Sequence, residues 1–388
     1  MIAYKRLDLE NSWIQQDAKE ACLKECITKE ENQQIKAQYP TGLYTPNIFI
    51  RIGLFLATAV IGIFSFGLLL LFMASALNEE TFGGIAIFFA LVAYGCLELI
   101  VKEKKHFGAG VDEALMWMTG ALVITAFILL GKWDVDQPVY YMVVLLLAGY
   151  FALRFLDSLM AVVSFIGLLG TLFCITLQLG SIAKMIMPFV VMTASLLVYL
   201  AASRLSGKAG NRPYFNCLNL VSIASLLTLY IGGNYFVVRE AGNEMFGMHL
   251  APEDSIPGGW LFWTFTVIIP LIYIFLGIRK KDAILLRTGL VLVGAIVFTI
   301  RYYHSVMPIE GAMTLGGILM IVLAYGVIRY LKEPKHGFSS EGEETSGEGA
   351  IQLESLVIAQ TMSTTPQPDE SFKFGGGTGG GGGASDSY

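Results

Sequence analysis

Residues 48–76 read IFIRIGLFLATAVIGIFSFGLLLLFMASA, with a single charge, Arg51, in the first turn. A hydrocarbon core about 30 Å thick needs about 20 helical residues, and this stretch exceeds that length. Backbone polar groups in lipid are satisfied only inside helices or closed barrels, and a run this long and apolar specifies a helix.

The same pattern recurs to the C-terminal side. Spans are predicted at Ile48–Ala76, Gly83–Val101, Val111–Gly131, Val139–Phe155 and Asp157–Leu179. Five more follow at Ala183–Ser203, Tyr214–Val238, Trp260–Ile278, Ala283–Tyr303 and Gly311–Leu331. The expected fold is an all-α, polytopic transmembrane bundle of about ten spans. Composition agrees: 55% of residues are hydrophobic and only 15% charged, outside the balance of soluble domains. The connections within 139–203 are only a few residues long, so a re-entrant pair there is an alternative to three spans.

The flanks are polar. Residues 1–47 form a predicted cytosolic helical hairpin, with an amphipathic helix over Asn11–Cys26 and a second helix opened by Thr28-Lys29-Glu30-Glu31, a capping box. No secretory signal precedes the first span, which must then direct insertion itself. Residues 332–388 form a cytosolic tail, rich in Ser, Gly and Glu and ending in a glycine run. It is expected to be largely disordered, with one possible short helix at 351–362.

Charge asymmetry orients the chain. With the N-terminus inside, the inner connections carry Lys102, Lys104, Lys105, Arg154, Arg204, Lys208, Arg212, Arg279, Lys280, Lys281 and Arg287. The outer ones collect acids such as Glu79, Glu80, Glu240 and Glu244. The positive-inside rule then places both termini in the cytoplasm of a plasma-membrane protein, with an even number of spans.

Three inner connections share a basic residue followed by an acid at a helix start: Lys105 with Asp112, Arg154 with Asp157, and Arg279 with Asp282. Asp there can accept orphan amide protons and complements the helix dipole. The recurrence also suits copies of one two-helix unit.

Ionisable and amide side chains inside spans are the candidate functional residues. Glu98 lies four residues before Lys102, a helical ion-pair spacing. Asn216 and Asn219 open a row of polar residues on the seventh span, suited to hydrogen bonds between helices or to a polar cavity. Arg301, Tyr303, His304 and Glu310 gather a cation, a phenol, an imidazole and a carboxylate at one predicted outer end. They suit an anion or proton-linked site, or serve as interfacial anchors. Gly232-Gly233-Asn234, Pro188 and Pro270 mark places where a span can bend or break. No catalytic motif, metal-ligand spacing or cofactor signature is present, and the lipid bilayer is the expected partner. A protein partner is expected through the hairpin or tail, and nucleic acid is not.

Some stretches carry a resemblance. Arg279-Lys-Lys-Asp282 with Leu285-Leu286-Arg287, Arg301-Tyr-Tyr-His304, Met307-Pro308-Ile-Glu310 and Leu353-Glu354-Ser-Leu356-Val357-Ile358-Ala359-Gln360 resemble uncharacterised polytopic membrane proteins of bacteria, of the Bacteroidetes domain-of-unknown-function type. The resemblance covers mainly the last third and implies an inner-membrane location without a known activity. The leading reading from the sequence is a non-enzymatic scaffold or envelope-associated component, followed by a small-solute or ion transporter with a site between its helices, with an intramembrane enzyme as the remaining class.

Overall fold

A computed structural model describes residues 2–132, 136–246 and 255–303, with single positions 311, 314, 317, 318, 321, 322, 325, 326 and 329. The chain folds as α1 (Arg6–Leu23), α2 (Lys29–Gln38), α3 (Ile48–Phe72), α4 (Glu79–Leu99), α5 (Val111–Gly131) and α6 (Pro138–Phe155). Then follow α7 (Ser158–Leu177), α8 (Ala183–Ser206), α9 (Phe215–Gly233), α10 (Tyr235–Phe246), α11 (Gly259–Lys280) and α12 (Ala283–Tyr303). Among the described residues, nine helices are long and apolar enough to cross a membrane. The tenth predicted span and the tail lie largely or wholly outside the described residues, although each described position between 311 and 329 is helical. The region 139–203 holds three separate spanning helices, α6, α7 and α8, and no re-entrant pair.

Sequential helices pair as antiparallel hairpins: α4 with α5, α6 with α7, α8 with α9 and α11 with α12. Three hairpin turns use one device. Lys105, Leu156 and Lys281 take left-handed backbone conformations at φ 55°, 60° and 57°, ending the incoming helix. Asp157 then accepts from the Met160 amide at 2.7 Å, and Asp282 from the Ile284 amide at 2.9 Å, which opens the outgoing helix at once. Asp112 differs: it reaches back to the amides of Gly108 and Ala109, both at 2.9 Å.

Close packing inside the hairpins depends on glycine. A Cβ on Gly167 of α7 would lie 2.6 Å from the Leu145 amide nitrogen of α6. One on Gly277 of α11 would lie 2.7 Å from that of Leu286 on α12. Small residues at such crossings let helices associate where lipid removes the hydrophobic drive between them.

Buried residues form two main clusters. Leu9, Leu97, Met116, Phe151 and Phe155 join α1 to α4, α5 and α6. Leu226, Tyr230, Tyr273, Leu285 and Leu292 join α9, α11 and α12. By contrast α3 buries only Gly62 and leaves Phe49, Phe64 and Phe72 exposed, the surface expected of a helix facing lipid. The chain is an integral, multi-pass membrane protein.

The first residues are more deeply set than the amphipathic pattern predicts. Helix α1 begins at Arg6 rather than Asn11, and Leu9 is almost wholly buried. The Ala3 amide donates to the Arg154 carbonyl at 2.9 Å, and Tyr4 meets Phe107 edge-on. Arg212 pairs with Asp17 at 3.0 Å and lies over the Trp13 ring. The hairpin thus covers the bundle end that carries the basic connections.

Candidate functional sites at the two ends of the bundle

Several buried or half-buried hydroxyls along the middle turns are satisfied within their own helices, whereas the fully buried Ser195 hydroxyl of α8 has no partner among the described residues. Thr119, Ser222, Thr228 and Thr266 donate to carbonyls four residues back in their own helices, at 2.7–2.9 Å. Ionised groups gather instead at the two ends.

At the hairpin-covered end, α3 is tied to α5 by a two-pronged ion pair. Arg51 donates from Nε to Glu113 at 2.9 Å, and a second prong runs from its terminal nitrogen to the other carboxylate oxygen. Beside it, α4 is tied to α6: Arg154 Nε donates to Glu98 at 2.5 Å, and the Tyr94 hydroxyl donates to the same oxygen at 2.7 Å. Tyr94 also meets the Tyr150 hydroxyl at 2.6 Å. The expected Lys102 contact is present but long, at 3.9 Å, so Glu98 binds chiefly between helices rather than within one.

A cavity of about 250 Å³ lies in this end. Its polar lining includes Tyr4, Arg51, Asp112, Glu113, Asp157 and Asn216, and Phe107, Met116 and Phe155 supply apolar wall. Burial and surrounding carboxylates hold the Tyr4 phenol far above its ordinary pKa. Burial, with Glu113 nearby, raises the Asp157 carboxyl above its ordinary value, and its hydrogen bond from Met160 opposes that rise. Asn219, three residues after Asn216, lines a separate cavity of about 550 Å³ with Lys24, Lys281, Asp282 and Arg287. The two asparagines therefore line different cavities, although i,i+3 spacing leaves them neighbours on the α9 surface.

At the opposite end, the seventh predicted span breaks after Gly233. Asn234 is extended, and its side chain donates to Tyr230 at 2.9 Å and to Thr299 at 3.0 Å while accepting from the Val237 amide. Tyr235 stacks on Trp263, and its amide is received by the Thr266 hydroxyl at 2.9 Å. Helix α10 then brings Arg239 and Glu240 to α12. The Tyr303 hydroxyl donates to Glu240 at 3.0 Å, and the Arg239 guanidinium lies 4.9 Å from the Tyr303 ring centre.

The four residues singled out at this end are thus only partly located. Tyr303 joins Arg239 and Glu240. Arg301 lies on the last turn of α12, its Nε buried without a hydrogen bond among the described residues. His304 and Glu310 lie outside the described residues. Sequence reading missed Arg239 and Glu240 as site residues, and at the other end Tyr4, Arg51 and Glu113. Arg51 carried a signal, being the lone charge of the first span. Comparison with protein-family models, curated proteins and solved structures finds no match.

Proposed function

We propose that the chain is a non-enzymatic scaffold or envelope-associated component of a bacterial inner membrane, with the hairpin and both termini in the cytoplasm. The observation that carries this reading is the division of polar groups described above: hydroxyls bonded within their own helices along the middle turns, interhelical ion pairs at the hairpin-covered end, and the Tyr303–Glu240 bond at the other. Such a bundle is stiff, and it displays α2, a polar helix with no buried residue, to a protein partner. The bacterial location rests on the resemblance, and the orientation on Lys105, Arg154 and Arg212 lying where the hairpin docks.

The experiment is native mass spectrometry of the full-length protein extracted from its own membrane in polymer discs, with and without residues 24–40. A defined complex lost on that deletion supports the scaffold. A protein that extracts alone and gives protein-dependent solute flux in liposomes contradicts it. That second outcome favours transport, a reading supported by the helix break at Asn234 and the polar cavity at the other end.

A further inference from the structure

The cavity under the hairpin has an unbalanced charge and an unused donor. Arg51 and Glu113 neutralise one another. Asp112 and Asp157 form no ion pair among the described residues; their bonds are to backbone amides. Tyr4 is 9% exposed, lines the same space, and its hydroxyl has no hydrogen-bond partner among the described residues. The ring is buried while the hydroxyl opens on the cavity, so it offers a fixed donor and acceptor to whatever fills that space.

The lining favours one ligand chemistry. Asp112 has both oxygens committed to amides and Glu113 has both committed to Arg51, which leaves few oxygens for a hard metal ion that takes six to eight. Phe107, Phe155 and Met116 offer apolar and aromatic surface that suits an organic cation.

We propose that this cavity binds a small alkylammonium ion, its charged head received by Asp157 and the Tyr4 hydroxyl and its methylenes laid against Phe107, Phe155 and Met116. Three N–H donors match three acceptors of the lining: the Asp157 carboxylate, the phenol oxygen and the Asn216 amide oxygen. The site draws its residues from the N-terminal segment, α3, α5, the α6–α7 turn and α9, so occupancy ties the hairpin to the bundle. It stands independently of the scaffold reading.

The test is equilibrium dialysis of radiolabelled butylammonium against the purified full-length protein in nanodiscs. Saturable binding of one ion per chain is expected. Unlabelled butylammonium should displace it, whereas butyrate and potassium chloride at equal ionic strength should not. Asp157→Asn keeps a helix-capping acceptor but loses the charge, and should weaken binding at least tenfold. Tyr4→Phe keeps the ring and should weaken it at least threefold; it decides the matter if Asp157→Asn fails to fold. Absence of saturable binding, equal displacement by potassium, or unchanged affinity in a folded variant overturns the proposal.

Discussion

Gly110 shows how one residue constrains the bundle. Its φ is +92°, and a Cβ there would lie 2.1 Å from the Arg51 carbonyl oxygen, against backbone that cannot turn aside. Gly108, at φ +59°, has no neighbour nearer than 3.8 Å. Gly110→Ala should therefore cost about 1–3 kcal/mol in backbone strain alone, with the clash added. Gly108→Ala should cost less, and thermal unfolding in detergent would rank the two. The Arg154–Glu98 pair gives a second residue-scale expectation. Arg154→Met leaves a largely buried carboxylate with only Tyr94 and the distant Lys102, and should destabilise by about 1–3 kcal/mol. Adding Glu98→Gln should recover part of that loss, and a double-mutant cycle by thermal unfolding measures it. In the sequence, Glu98 pointed to Lys102 because helical spacing is legible there; Arg154 is 56 residues away, and only the α4–α6 crossing brings it near.

At the scale of elements, apolar length located the spanning helices, since lipid imposes one length on all of them. Ends were less legible. The sequence bounds the seventh span at Val238 and marks Gly232-Gly233-Asn234 as a place where it can break; it does break there, where extended Asn234 closes α9 and its side chain accepts from the Val237 amide to open α10. Asn234→Ala should loosen α10 selectively, seen as faster amide exchange over Tyr235–Phe246 with α9 little changed. Pro188 and Pro270, equally suspect in the sequence, sit inside α8 and α11 without ending them. The capping box of α2 was read correctly: Thr28 and Glu31 exchange both bonds. Those bonds hold the Glu31 carboxyl below its ordinary value. A depressed value means the cap contributes fully above the unfolded carboxylate range and is lost as pH falls through the folded value. Amide exchange in α2 should therefore quicken on acidification, and Thr28→Ala should remove most of that pH dependence.

For the whole molecule, the distribution of charge was the most informative part of the sequence. Three of the basic residues predicted to share one side lie against the hairpin: Lys105 approaches Asp8, the Arg154 carbonyl receives the Ala3 amide, and Arg212 pairs with Asp17. The cavity was not legible, because Tyr4, Arg51, Asp112, Asp157 and Asn216 come from five separate segments, and no periodicity links segments that far apart. The central claim is a multi-pass bundle with its hairpin-covered end in the cytoplasm. Its most direct measurement is labelling of single cysteines, in a background with the five native cysteines replaced, by a membrane-impermeant maleimide on intact cells. Cysteines at Asn78 and Gln137 should label, and one at Gln33 on α2 should label only after the membrane is opened. Labelling at Gln33 in intact cells, with Asn78 and Gln137 protected, would contradict the account.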